Sequence, residues 1–193
     1  TLRPIPLAQA SVGATDPVFT RVYGPDIGLD LHDEIVAPWL FVPFGLHGGI
    51  AAADFDDDGW VDLALRRSGL QGGIALYRNV GGRFERQPFD AGPPGEVPAL
   101  TLAFVDLIGN SDPDLVLATD GRGVFIYENR GGRFDQAPAI KLDTPDTART
   151  RAMAFADFDR DGRLDIALGN NALTTGDASN PNKAMPISAN LIL

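Results

Sequence analysis

Cysteine is absent from the 193 residues. This excludes disulfides, zinc-thiolate sites and thiol nucleophiles, and is compatible both with cytosol and with a bacterial exterior, where many proteins do without disulfides. Positive charge is scarce: Lys+Arg number 16 against Asp+Glu 26, a formal net charge of -10. That balance argues against a nucleic-acid partner or an anionic membrane surface, since no electropositive groove can be built. No apolar run approaches the roughly 18 to 20 residues of a membrane span. No secretory hydrophobic segment stands at the start either, although the chain begins at Thr1 and Ala8 and Ala10 are spaced like a cleavage site. Nucleophile elbows, HExxH helices and phosphate-binding loops are missing as well.

Glycine (22) and proline (15) are plentiful and scattered, which suits many short elements joined by tight turns rather than long helices. With 44% of residues apolar, the chain can bury an ordinary core within one domain. Laid over itself, the sequence repeats. AAADFDDDGWVDLAL, Ala51 to Leu65, returns as AMAFADFDRDGRLDIAL, Ala152 to Leu168, and in degraded form as LAFVDLIGNSDPDLVLA, Leu102 to Ala118. The leading aspartates, Asp54, Asp106 and Asp157, stand 52 and 51 residues apart, a period of solenoids and propellers. Downstream, GIALYRNVGGRF (Gly73 to Phe84) answers GVFIYENRGGRF (Gly123 to Phe134), with Tyr77 and Tyr127, Asn79 and Asn129, Phe84 and Phe134 in register.

Each unit reads as four short strands, in the first Gly49 to Asp54, Val61 to Arg66, Ile74 to Asn79 and Phe84 to Phe89. The expected fold is all-β: β-propeller blades, each a four-stranded antiparallel meander that buries its faces against neighbouring blades. Phe55, Phe104, Tyr77, Tyr127 and Phe158 are then assigned to blade-to-blade packing. The expected divisions are an extended lead at 1–17, an N-terminal strand and lead-in segment at 18–48, and blades at 49–98, 99–150 and 151–193, the last carrying an insertion at 170–189. About three blades are present, fewer than the four to eight that close a propeller. The third breaks off at ANLIL, Ala189 to Leu193, leaving an apolar edge. The chain is therefore expected to be the N-terminal part of a longer polypeptide, or to receive further blades by oligomerisation.

The repeated acidic loop is a candidate metal site. Asp54, Asp56, Asp58 and Asp62 occupy positions 1, 3, 5 and 9 with Gly59 at position 6; Asp157, Asp159, Asp161 and Asp165 repeat the pattern around Gly162. Alternate side chains in a tight turn converge on one centre, and the glycine permits the positive φ that folds the loop around it. Calcium takes six to eight oxygens, so four carboxylates, the position-7 carbonyl (Trp60 or Arg163) and a water complete a shell. An EF-hand is excluded because position 12 is Leu65 or Leu168 instead of glutamate and the flanks read as strands. Bare Asp-Gly hairpins would also favour aspartate, but four carboxylates in one turn repel without a cation. The middle loop, Asp106 to Asp114, keeps carboxylates at positions 1 and 9 only, with Ile108, Asn110 and Ser111 at positions 3, 5 and 6. It is expected to stay empty, giving two Ca2+ sites.

Through ADFDDDGWVDLAL, ADFDRDGRLDIAL and the LYRNVGGRF and IYENRGGRF tails, the chain resembles the VCBS/FG-GAP repeats of integrin-α-like β-propellers. FTRVYGPDIGLDLHDE, Phe19 to Glu34, is similar to the segment preceding the first blade in secreted proteins of the ASPIC/UnbV type. The resemblance implies an extracytoplasmic (periplasmic, cell-surface or secreted) propeller with calcium in its blade loops, and a first strand, here Val18 to Tyr23, that closes the last blade. The function expected is a binding or scaffold module for protein or carbohydrate, with no nucleic-acid partner and no membrane span of its own. A related expectation is an accessory subunit of a larger envelope or membrane complex, docked through Thr1 to Pro17 or Thr174 to Ser188. The alternative is the propeller portion of a polysaccharide lyase or hydrolase, for which His32, His47, Tyr23 and the pair Arg66 and Arg67 are the few candidates for an acid/base constellation.

Overall fold

The computed structural model describes residues 21–29, 49–66, 73–89, 99–119, 122–144, 148–172 and 187–192. The described residues form no α-helix. Blade 1 comprises β1 (Ile50–Ala53), β2 (Asp62–Arg66), β3 (Ile74–Val80) and β4 (Arg83–Arg86). Blade 2 comprises β5 (Ala99–Val105), β6 (Asp114–Thr119), β7 (Val124–Tyr127) and β8 (Ile140–Leu142). Blade 3 has β9 (Ala148–Ala156), β10 (Asp165–Ala172) and β11 (Ile187–Ile192). The strands pair antiparallel in the orders β1-β2-β3-β4, β5-β6-β7-β8 and β11-β10-β9. The all-β meander expected from the repeat is the observed fold.

Register is the same in each blade. The acidic loops are closed by the pairs Ala53↔Asp62, Val105↔Asp114 and Ala156↔Asp165, so all three loops span the same rung of their sheets. The expected fourth strand of blade 1 ends early, at Arg86. Pro88 has no N–H to continue a ladder, and Phe89 instead turns into blade 2, its ring 5.5 Å from Tyr127 and 5.8 Å from Phe134.

The core lies between blades. Along β6 and β7 side chains alternate: Leu115, Leu117, Phe125 and Tyr127 join Ala64, Ile74 and Leu76 of blade 1. Val116, Ala118, Val124 and Ile126 join Ile166 and Leu168 of blade 3. Period-two alternation therefore gives the middle blade two apolar faces, and every residue of β6 is buried. Phe55 is 2% exposed because Phe104 and Phe134 of blade 2 close over it at 5.9 and 5.6 Å. Phe55, Phe104 and Tyr127 thus pack between blades as expected, whereas Tyr77 packs with Leu29 of the lead-in segment. Phe158 departs from the expectation: it is 47% exposed, since no described element stands to blade 3 as Phe104 and Phe134 stand to blade 1.

Before blade 1, Gly24–Ile27 form a short 3-10 turn. Gly28 follows at φ 87 with the carbonyl of Phe84 where a Cβ would stand, so only glycine lets this segment lie against β4. Of Val18 to Tyr23, residues 21–23 are not in a strand. The remainder lies outside the described residues, as do Thr1 to Pro17, Thr174 to Pro186, His32, His47 and Arg67.

Phe55→Ala is expected to destabilise the protein by about 3 to 5 kcal/mol in urea denaturation, as a buried aromatic truncation does. Phe158→Ala, at the repeat-equivalent exposed position, should change it by no more than about 0.5 kcal/mol.

Candidate metal centre

The three loops are wound by the same local bonds. The position-1 aspartate accepts backbone N–H groups from positions 5 and 6: Asp58 and Gly59 donate to Asp54 at 3.1 and 2.8 Å, and Asp161 and Gly162 to Asp157 at 3.0 Å each. In the middle loop Gly109, Asn110 and Ser111 donate to Asp106 at 2.7, 3.1 and 2.9 Å. Position 5 then accepts from position 7, through Asp58 from Trp60, Asn110 from Asp112 and Asp161 from Arg163, at 2.8 to 3.0 Å. Side chains that bond the backbone a few residues on are what aspartate and asparagine bring to a turn.

Each loop also needs left-handed backbone at positions 4 and 6. Gly59 and Gly162 supply it at φ 89 and 90, as the sequence predicts, with Asp57 and Arg160 at φ 57 and 66 before them. The middle loop reverses the assignment, with Gly109 at position 4 (φ 82) and Ser111 at position 6 (φ 75). Its missing position-6 glycine therefore does not change the path of the chain. The glycine has moved two residues, and Ser111 carries a left-handed strain of about 1 to 2 kcal/mol.

The position-9 aspartate is set deeper. Asp62 is fully buried and accepts the N–H groups of Phe55 (3.0 Å) and Asn79 (2.7 Å). Asp114 accepts those of Leu107, Ile108 and Asn129, each at 3.0 Å, and Asp165 that of Phe158 at 2.8 Å. In blades 1 and 2 this carboxylate ties the end of the first strand to the third. Asn79 and Asn129 complete the corner by accepting from Gly82 and Gly132 (2.8 Å each) and donating to the carbonyls of Val61 (3.0 Å) and Pro113 (3.1 Å). The sequence showed these asparagines in register, but not that they hold the loop. Asn129 also donates to the carbonyl of Phe55 at 2.7 Å, and a Cβ on Gly132 would lie 2.5 Å from that of Asp56. The first loop is thus built against blade 2.

Among the described residues, two acidic clusters could hold a metal ion: Asp54, Asp56 and Asp58, and Asp157, Asp159 and Asp165, each with one carboxylate oxygen per residue within 4.8 Å of the others. The structure brings together three of the four expected carboxylates in each loop. Asp62 accepts backbone N–H groups beside the first cluster, and Asp161 accepts the N–H of Arg163 beside the second. The donor set fits a hard cation, because two oxygens each about 2.4 Å from calcium lie at most about 4.8 Å apart. Oδ1 of Asp56 is buried and lacks a hydrogen-bond partner, a cost that a cation removes. Burial, then the charge of Asp58, pushes the Asp56 carboxyl above its usual range. Burial likewise pushes Asp62 up to about 6, against the pull of the Asn79 and Phe55 N–H groups.

Of the other sequence candidates, Tyr23 is 63% exposed with Arg21 5.7 Å from its ring centroid. Arg66 ends β2, its guanidinium pKa lowered by burial and then by Arg151. No helix among the described residues is long and apolar enough to cross a membrane.

Comparison with known proteins agrees with this geometry. The FG-GAP-like repeat family matches residues 54–117 and 106–168, two overlapping copies that begin at the leading aspartates and together cover more than half of the chain. The chain is similar to Cartilage acidic protein 1 of Mus musculus, 28% identical over 123 residues, which are 62% of this chain and 18% of that protein.

Asp114→Ala, which strands one buried and two partly buried N–H groups, should cost about 2 to 4 kcal/mol by denaturant titration. Asp135→Ala, removing an exposed ion pair to Arg130, should cost about 0.5 kcal/mol or less. Asp62 also has a pH signature. Its folded pKa of about 6 lies above the ordinary value of 3.8, so the folded state holds the extra proton between these values and loses stability as pH rises through them. The stability of metal-free wild type relative to Asp62→Asn should therefore fall from about pH 4 to about pH 6 and level off above, in denaturation curves taken at each pH.

Proposed function

This chain belongs to the FG-GAP-like repeat family, and on that premise we propose that it is an extracytoplasmic, calcium-binding β-propeller segment that binds protein or carbohydrate partners as a scaffold. The observation that carries the reading is the pair of acidic clusters held in preformed strand-turn-strand loops. Asp54, Asp56, Asp58 and Asp62 with the Trp60 carbonyl would hold one calcium. Asp157, Asp159, Asp161 and Asp165 with the Arg163 carbonyl would hold the second. Calcium suits a many-oxygen loop that is not a strict octahedron, whereas magnesium demands one. The loop Asp106 to Asp114 carries carboxylates at two of the four positions and is read as metal-free.

When bound, the ion supplies charge neutralisation rather than chemistry, because every loop is already wound by its own backbone bonds. Binding is the reading because FG-GAP-like repeats serve typically as binding modules, and because the position of the clusters on strand-connecting loops leaves other loops to meet a partner. The name of the mouse relative places that protein in cartilage, which supports a location outside the cytoplasm. The blade limits 49–98, 99–150 and 151–193 and docking as a subunit of a larger complex belong to the same proposal.

Calorimetric titration of metal-free protein with calcium should show two binding events. Asp56→Asn should remove one, Asp159→Asn the other, and Asp112→Asn neither. Calcium at 100 times a site's dissociation constant should stabilise the fold by about 2.7 kcal/mol per site. A titration without heat and a melting temperature indifferent to calcium and chelator would overturn the calcium reading.

A further inference from the structure

The two acidic clusters differ in a way that their sequences do not suggest. Arg78, on β3 of blade 1, reaches across to the first loop. Its Nη2 donates to Oδ2 of Asp58 at 3.0 Å, and its Nε forms an ion pair with Oδ2 of Asp56 at an angle that makes no hydrogen bond. Both partners belong to the cluster that could hold a cation. The guanidinium is itself partly exposed, while the Asp56 side chain is only 11% exposed, so the arginine approaches from the solvent side. Its fixed charge is the cation that the first loop faces.

The other blades supply the control. At the position of Arg78 in the repeat, blade 2 has Glu128, which is held by Arg130 at 2.6 Å, and the loop of that blade has Ile108 and Asn110 in place of the two aspartates. Asn110 there donates to the carbonyl of Asn129 at 2.8 Å, so a neutral amide bridges the loop to the residues just beyond the third strand where blade 1 uses an ion pair. The third loop has the full set of aspartates, and among the described residues no lysine or arginine pairs with Asp157, Asp159 or Asp165. A basic side chain thus stands at the acidic loop of blade 1 and not at the neutral loop of blade 2.

We infer that Arg78 is an internal counter-ion of the first loop that competes with the metal ion. In the metal-free protein it neutralises Asp56 and Asp58. When a divalent cation enters, the same two carboxylates turn to the metal and the guanidinium swings into solvent. The first site therefore binds more weakly than its ligands alone would allow. Blade 1 keeps its loop docked on Asn129 and Gly132 without metal. This inference rests on the calcium reading above.

The test isolates the first site in an Asp157→Asn/Asp159→Asn background and titrates calcium by calorimetry at low salt. Arg78→Gln should tighten the remaining site about 3- to 10-fold, the scale of one or two partly exposed ion pairs. Arg78→Glu, the residue type that blade 2 carries, should tighten it further, and added salt should shrink both gains. In the reciprocal Asp54→Asn/Asp56→Asn background, Arg78→Gln should leave the third site unchanged. Both Arg78 variants should lower the melting temperature of metal-free protein and enlarge its rise on calcium addition, a readout that separates lost competition from a misfolded variant. Unchanged or weaker binding at the first site, or an equal change at the third, overturns the competition while leaving the calcium reading intact. Absence of calcium binding in both backgrounds and in wild type overturns both.

Discussion

The blades depend on one buried carboxylate. At position 9 of each loop an aspartate, Asp62, Asp114 or Asp165, leaves the start of the second strand and accepts backbone N–H groups at the start of the loop. Asp62 also accepts from the third strand, and Asp114 from Asn129 just beyond it. A charged group that is fully enclosed, as Asp62 and Asp114 are, is tolerated only when hydrogen bonds replace its water. These aspartates find theirs in main-chain donors that would otherwise be unsatisfied at the same corner. Strand spacing, loop entrance and the asparagine clamp of the following turn all follow from that arrangement. It is present in the middle blade too, where the acidic cluster has decayed.

That constraint separates two roles that aspartate plays within nine residues. Positions 1 and 9 bond to the backbone in all three loops and shape the turn. Position 3 is carboxylate only in the two acidic loops, and position 5 gives way to asparagine in the middle one without losing its turn bond. The excess charge is thus confined to positions where the middle loop keeps its path with a neutral side chain. Charge of this kind requires a counter-ion, and the fold offers an arginine at the first loop. Shape and neutralisation are separable, which is why a loop that loses its carboxylates can keep its path.

Packing between blades explains which aromatic residues are hidden. The middle blade has neighbours on both faces, and its second and third strands are buried throughout. Phe55 disappears under blade 2 while Phe158, with the same neighbours in sequence, stays half exposed. The repeat predicts that both positions are interface positions. It cannot say which has a partner, because burial is a property of the pair. The same holds for the first loop, whose bond from Asn129 to the Phe55 carbonyl joins residues 74 apart in the chain.

The sequence by itself determined the all-β class, the three-fold repeat, the strand-turn-strand context of the acidic loops and the left-handed glycines, because each is a local pattern of period, turn chemistry and spacing. It also marked the ten residues around which calcium was expected, without ranking them. Only the tertiary structure decided that Asp62 is buried on backbone donors of the loop and of β3, that Ser111 takes the place of a glycine with Gly109 two residues earlier, and that Arg78 rather than a neighbour in the chain faces Asp56 and Asp58. The reason is physical. Hydrogen-bond geometry within a turn is set by adjacent residues, whereas burial and charge pairing are set by strands that meet across a sheet or across blades.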